Sequence, residues 1–173
     1  DLANKMWNAS RLVLMEARDD VELGPRSEQV EDRWIVSRLQ RAIRSVSDSI
    51  DAYDFSHAAL DLYDFFWSEL CDWYLEIVKP RLYDGEEDAS ATLLWALEQV
   101  LALAHPMMPF VTEEIYSYLP APSAEALVIH SFPELDESLL DESAEAEIGQ
   151  AIALTRALRR WRQLAGVPVK QVL

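Results

Sequence analysis

Apolar residues recur at helical spacing from the start of the chain. Leu2, Met6, Ala9, Val13 and Ala17 fall near one face and predict a helix over 1–17. The polar stretch from Arg18 to Arg26, with Gly24-Pro25 inside it, predicts a loop. The clearest pattern runs over 28–52. At about 100° per residue, Ile35, Leu39, Ala42, Ile43, Val46 and Ile50 share one face, and Arg33, Arg38, Arg41 and Arg44 fall opposite. A third helix is predicted from Ser56 to Lys79, with Pro80 ending it. Tyr63, Phe65, Phe66, Trp67, Trp73 and Tyr74 surround it nearly completely, the pattern of a central helix that touches several neighbours.

Asp84-Gly85 marks a turn before a fourth helix over 88–104, which His105-Pro106 breaks. Pro109 suits the first turn of a fifth helix reaching about Leu119. Beyond the loop from Pro120 to Ala124, Leu127 to Phe132 reads as a short extended stretch. An acidic, linker-like segment from Glu134 leads into a last helix over about 143–165, with Gly166 as its C-cap. The apolar alternation of 167–173 predicts a strand. The expectation is an all-α antiparallel bundle of five helices over 1–119. A connecting segment over 120–142 and a sixth helix, opening a further subdomain over 143–173, would follow.

Composition agrees with the helical pattern. Of 173 residues, half are hydrophobic and only four are Gly, so a sizeable core can form without loop-rich architecture. Cys71 is the single cysteine, which excludes an internal disulfide and suits a reducing cytoplasm. No apolar run approaches the length of a membrane span. Asp1 opens in mid-pattern, which points to a piece of a longer chain.

Charge changes the picture. A formal net charge of −16 argues against nonspecific nucleic-acid binding, which needs clustered Lys and Arg to neutralise phosphates. The distribution softens that exclusion. Residues 1–44 hold eight acids and eight bases, whereas Lys79 and Arg81 are the only bases of the acid-rich 45–150. A basic zone then runs from Arg156 to Lys170.

Catalytic chemistry finds no support. His57, His105, His130 and Cys71 are scattered, without metal-ligand spacing. Pairs such as Glu113-Glu114 suit a solvated face or a helix start, and no Gly-rich loop offers a phosphate cradle. Binding is the better prospect, with two readings open for each candidate. The arginines from Arg33 to Arg44 reach phosphates, or they pair with helical neighbours such as Glu31 and Asp48. Arg159, Arg160 and Arg162 surround Trp161, which suits a backbone-plus-stacking contact. Alternatively, Trp161 packs inward. Asn4, Asn8 and Arg11 lie one turn apart, where they read base edges or are merely exposed.

Four strings narrow these choices. They are Asn4 to Arg11 (NKMWNASR), Asp32 to Leu39 (DRWIVSRL), Tyr63 to Glu76 (YDFFWSELCDWYLE) with Lys79 to Tyr83 (KPRLY), and His105 to Tyr116 (HPMMPFVTEEIY). Their content, order and spacing resemble the anticodon-binding domain of the valyl-tRNA synthetases, class I aminoacyl-tRNA synthetases. The resemblance covers essentially the whole chain. The fourth string recurs in the isoleucine, leucine and methionine relatives, whereas WSELCDWY favours valine. The alternatives are the same domain of an isoleucyl- or leucyl-tRNA synthetase and, from a different class, a non-catalytic protein-interaction bundle.

The resemblance implies recognition rather than reaction. Asn4, Asn8, Arg11 and Leu12 on the first helix, with Leu75 and Glu76 on the third, match the family's anticodon-loop contacts. Leu12 departs from the aromatic residue usual there, which replaces stacking with an apolar contact. Arg38, Arg159 and Arg160 are further candidates for RNA contact. The parent enzyme would use ATP and Mg to charge valine tRNA, with its catalytic and editing domains elsewhere. The HIGH and KMSKS signatures are absent, so no catalytic residue, metal or cofactor is expected in this chain.

Overall fold

In the computed structural model, residues 2–166 are described, and the strand expected over 167–173 lies outside them. Six helices account for most of the described chain. They are α1 (Leu2–Glu16), α2 (Val30–Asp51), α3 (55–83), α4 (Glu87–Ala104), α5 (Pro109–Tyr116) and α6 (Glu142–Leu164). No strand occurs among the described residues, and no helix among them is long and apolar enough to cross a membrane. The expected all-α bundle is what forms, with five helices up to residue 116 and a sixth after it.

The apolar face of α2 is buried as its spacing requires, with Ile35, Leu39 and Val46 fully inside. Acidic Glu31 and Asp32 in its first turn complement the positive end of the helix. The helix α3 differs from expectation in two ways. Its middle, Asp64–Tyr74, is wound as a π-helix between α-helical ends. It also passes through Pro80 and stops at Gly85, where φ is 76°. There Gly85 N–H donates to Leu82 O at 3.0 Å and Glu86 N–H to Arg81 O at 3.1 Å. These are the paired bonds of a helix closed by a left-handed residue. Proline removes one donor, but Val78 and Leu82 on either side are buried, and that packing carries the helix onward.

The most enclosed element is α4, not the aromatic helix. From Ala89 to Ala104 nearly every residue is buried, including Leu93, Leu94 and Leu97. The signal was present in the sequence: Glu98 is the one charge between Ala89 and Ala104. Small and aliphatic residues all round let a helix be surrounded, whereas large amphipathic rings tolerate half-exposure. Tyr63, Trp67 and Trp73 on α3 are indeed only half-buried.

Two buried polar groups pin the bundle. Asp32, 1% exposed, accepts from Tyr74 Oη at 2.6 Å and from Arg81 Nη1 at 2.8 Å. Glu98 accepts from Ser123 N and Oγ, both at 2.8 Å, and from Tyr116 Oη at 3.2 Å. A buried carboxylate is tolerated only with partners of this kind.

The stretch after α5 is irregular but anchored. Leu127–Ile129 form one 3-10 turn rather than an extended run, because Glu113 accepts from Leu127 N and Val128 N, each at 3.0 Å. Glu113 thus caps a turn instead of sitting on a solvated face. The acidic segment that follows is tied to α2: Asp136 N–H donates to Gln40 Oε1 at 2.8 Å, and Asp141 N–H to Ser37 Oγ at 2.9 Å. Asp141 then caps α6 by accepting from Ala144 N at 2.9 Å. Ala144 and Ile148 seat the first turns of α6 in the core, and its later turns are mostly exposed.

Candidate nucleic-acid interface

Because Met6, Ser10 and Val13 turn inward, α1 presents Asn4, Asn8, Arg11 and Leu12 to solvent. The last third of α3 lies beside it and adds exposed Glu76. Glu76 accepts from Lys79 Nζ at 3.2 Å, which orients its carboxylate and raises the Lys79 pKa. Leu75 does not join this surface. It is 3% exposed and belongs to the core, where it fixes the turn that carries Glu76. Nearer its start, α1 is held to the same helix by Lys5, which donates to Tyr63 Oη at 2.6 Å and lies 4.6 Å from the Trp67 ring centroid.

The side chains of Asn4, Asn8 and Arg11 make no hydrogen bond or ion pair with another described residue. The arginines of α2 are in the opposite situation. Arg38 makes a two-pronged contact with Glu69, Nε and Nη2 each at 2.7 Å, and reaches Glu145 at 3.3 Å. Arg41 Nε donates to Glu145 Oε1 at 2.7 Å, Arg44 meets Glu137 at 3.0 Å, and Arg33 meets Asp141 at 3.5 Å. Within the protein, their carboxylate partners are not the helical neighbours Glu31 and Asp48. They come from α3 and from the acidic start of α6 and its approach.

Glu145 is the hub of this contact. Burial pushes its pKa upward, and hydrogen bonds from Ser37, Arg41 and Arg38 outweigh burial, holding the carboxyl below its ordinary value. Polar Ser37 and Gln40, both buried, receive the incoming segment. Ser37 falls among the arginines at helical spacing and Gln40 beside them, so the sequence carried no sign of their docking role.

On α6, Arg159 lies 5.3 Å and Arg156 5.5 Å from the Trp73 ring centroid, so both stack on α3. Arg160 is exposed, and Trp161 is half-exposed rather than packed inward. The sequence candidates thus separate in space. Asn4, Asn8, Arg11 and Leu12 are exposed on α1 and Glu76 is exposed on the neighbouring part of α3, while Arg38 and Arg159 are engaged within the protein. Burial pushes the Cys71 thiol up to about 12, far from a reactive thiolate. No group of three potential metal ligands converges among the described residues.

The all-helical architecture agrees with what the chain is similar to. The model of the anticodon-binding domain of tRNA ligase matches residues 32–173. The chain belongs to that family. It is 43% identical over 169 residues to the valine–tRNA ligase of Fervidobacterium nodosum, covering 96% of this chain and 19% of that protein. The valine–tRNA ligase of Thermotoga maritima is 39% identical over 170 residues, with 98% of this chain and 20% of that protein covered. That of Dehalococcoides mccartyi is 38% identical over 180 residues, covering all of this chain and 20% of that protein. The chain therefore spans about a fifth of the length of these relatives, in their anticodon-binding part. Two of the four strings that carry the resemblance meet in the buried Asp32–Tyr74–Arg81 contact, so part of the family pattern preserves the bundle itself.

Proposed function

We propose that this chain binds the anticodon loop of a valine tRNA through the strip formed by α1 and Glu76. The supporting observation is the contrast between Asn4, Asn8 and Arg11, which make no hydrogen bond or ion pair with another described residue, and the α2 arginines, which carboxylates already occupy. Splayed loop bases need local hydrogen-bonding groups rather than overall positive charge, so a net charge of −16 is compatible with this role. Amide side chains offer donors and acceptors to base edges, Arg11 offers a fork to a phosphate or base, and Leu12 offers an apolar contact. Valine is the choice among the related amino acids because the relatives named above are valine–tRNA ligases.

In the parent protein, the anticodon loop held here would place the acceptor end of the tRNA at a distant catalytic domain. That domain would use ATP and Mg to attach valine, with editing in another domain. The test is a pair of variants, Arg11→Ala and Glu76→Ala. Each lowers affinity for a valine anticodon hairpin about tenfold while thermal stability is retained. If both variants lose stability and keep their affinity, the strip is structural and the proposal fails.

A further inference from the structure

On its far side from α3, α1 meets α5 across a groove of about 350 Å³. Trp7 and Tyr118 contribute its aromatic walls, with ring centroids 6.4 Å apart and planes nearly perpendicular. Leu14 and Met15 extend the apolar lining, and Arg11 stands on the border between groove and strip. The lining is well exposed for such residues: Trp7 37%, Tyr118 59% and Met15 70%.

Ser10 is the anomaly. It lines the groove, is 1% exposed, and its hydroxyl has no hydrogen-bond partner. Leaving such a group unsatisfied costs about 1–3 kcal/mol, and Ala would fill the same helical position without that cost. Packing alone gives no reason for Ser here. An apolar side chain from a protein partner would cover the walls and leave the hydroxyl orphaned. An unpaired nucleotide matches all three features, with the π-face of its base for the rings, base-edge donors and acceptors for the hydroxyl after a χ1 rotation, and its phosphate for Arg11.

We propose that this groove takes the base of one unpaired anticodon-loop nucleotide, stacked on Trp7 or Tyr118 and hydrogen-bonded to Ser10. The inference rests on the reading that α1 faces the anticodon loop, and it extends the contact surface around α1 to α5. Ser10 is then a recognition residue that lowers the stability of the free protein.

The experiment measures binding of a valine anticodon hairpin, and of hairpins made abasic at each loop position in turn, to the unsubstituted chain, Ser10→Ala and Tyr118→Leu. Circular dichroism and thermal melting accompany each variant. Ser10→Ala melts no lower than the unsubstituted chain and binds the intact hairpin about five- to tenfold more weakly. Tyr118→Leu weakens binding about tenfold. At one loop position, the abasic hairpin abolishes the effect of both variants. If the unsubstituted chain binds while both variants bind equally well, or lose affinity equally for every abasic hairpin, the groove assignment is overturned and the anticodon-loop reading survives. If the unsubstituted chain binds no hairpin, both are overturned.

Discussion

Tyr74 and Asp32 meet in the core, where the phenol hydroxyl donates a 2.6 Å hydrogen bond that ties α3 to α2 across 42 positions of sequence. Burial first, and then the Asp32 charge, push the Tyr74 hydroxyl well above its ordinary value near 10. It is therefore a donor at any pH the fold survives. Arg81 completes the contact, so a negative charge 1% exposed is met from two directions.

Replacing Tyr74 with Phe removes one of those partners while retaining the ring. The expected cost is about 1–3 kcal/mol, the range for a buried acceptor deprived of a donor. Urea unfolding checks it. Hairpin affinity per folded molecule should not change, because the pair lies inside the bundle and not on the α1 strip.

The contact between α6 and α2 is predicted to depend on pH. Glu145 has a folded-state pKa held below its ordinary value. A depressed carboxyl contributes stability that is present above its unfolded pKa, about 4.3 for Glu, and is lost as pH falls through the folded value. The melting temperature of the chain should therefore exceed that of Glu145→Gln at neutral pH. The gap should close as pH drops below about 4. A gap that stays constant through the acidic range would remove Glu145 from this role.

Arg44 offers the complementary test on the RNA side. Glu137 already meets its guanidinium at 3.0 Å. Arg44→Ala should leave both hairpin affinity and its salt dependence unchanged. A true phosphate contact would lower the salt slope by about one. A reduced slope for Arg44→Ala, measured between low and moderate salt, would restore the α2 stripe as an RNA surface.

The helices were legible in the sequence to within a few residues because their periodicity is strong. Pro80 misled as a stop because local rules see the missing N–H and not the buried Val78 and Leu82 that hold the next turn. The α2 arginines were visible as a stripe, yet their partners lie about 30 to 100 residues away in Glu69, Glu137, Asp141 and Glu145, which helical spacing cannot reveal. The α1 strip could be named from family resemblance alone. Exposed polar residues on a helix carry no pattern that distinguishes a recognition surface from a solvated one. Ser10 was hidden for the opposite reason: only three-dimensional placement shows that its hydroxyl lacks a partner.

The most direct test of the central claim compares two hairpins at low salt, one with the valine anticodon and one with that anticodon substituted on the same stem. The chain should bind the valine hairpin at least about tenfold more tightly, consistent with about 1.4 kcal/mol from base-specific contacts. Equal affinity for the two would contradict anticodon recognition by this chain and leave only backbone contact.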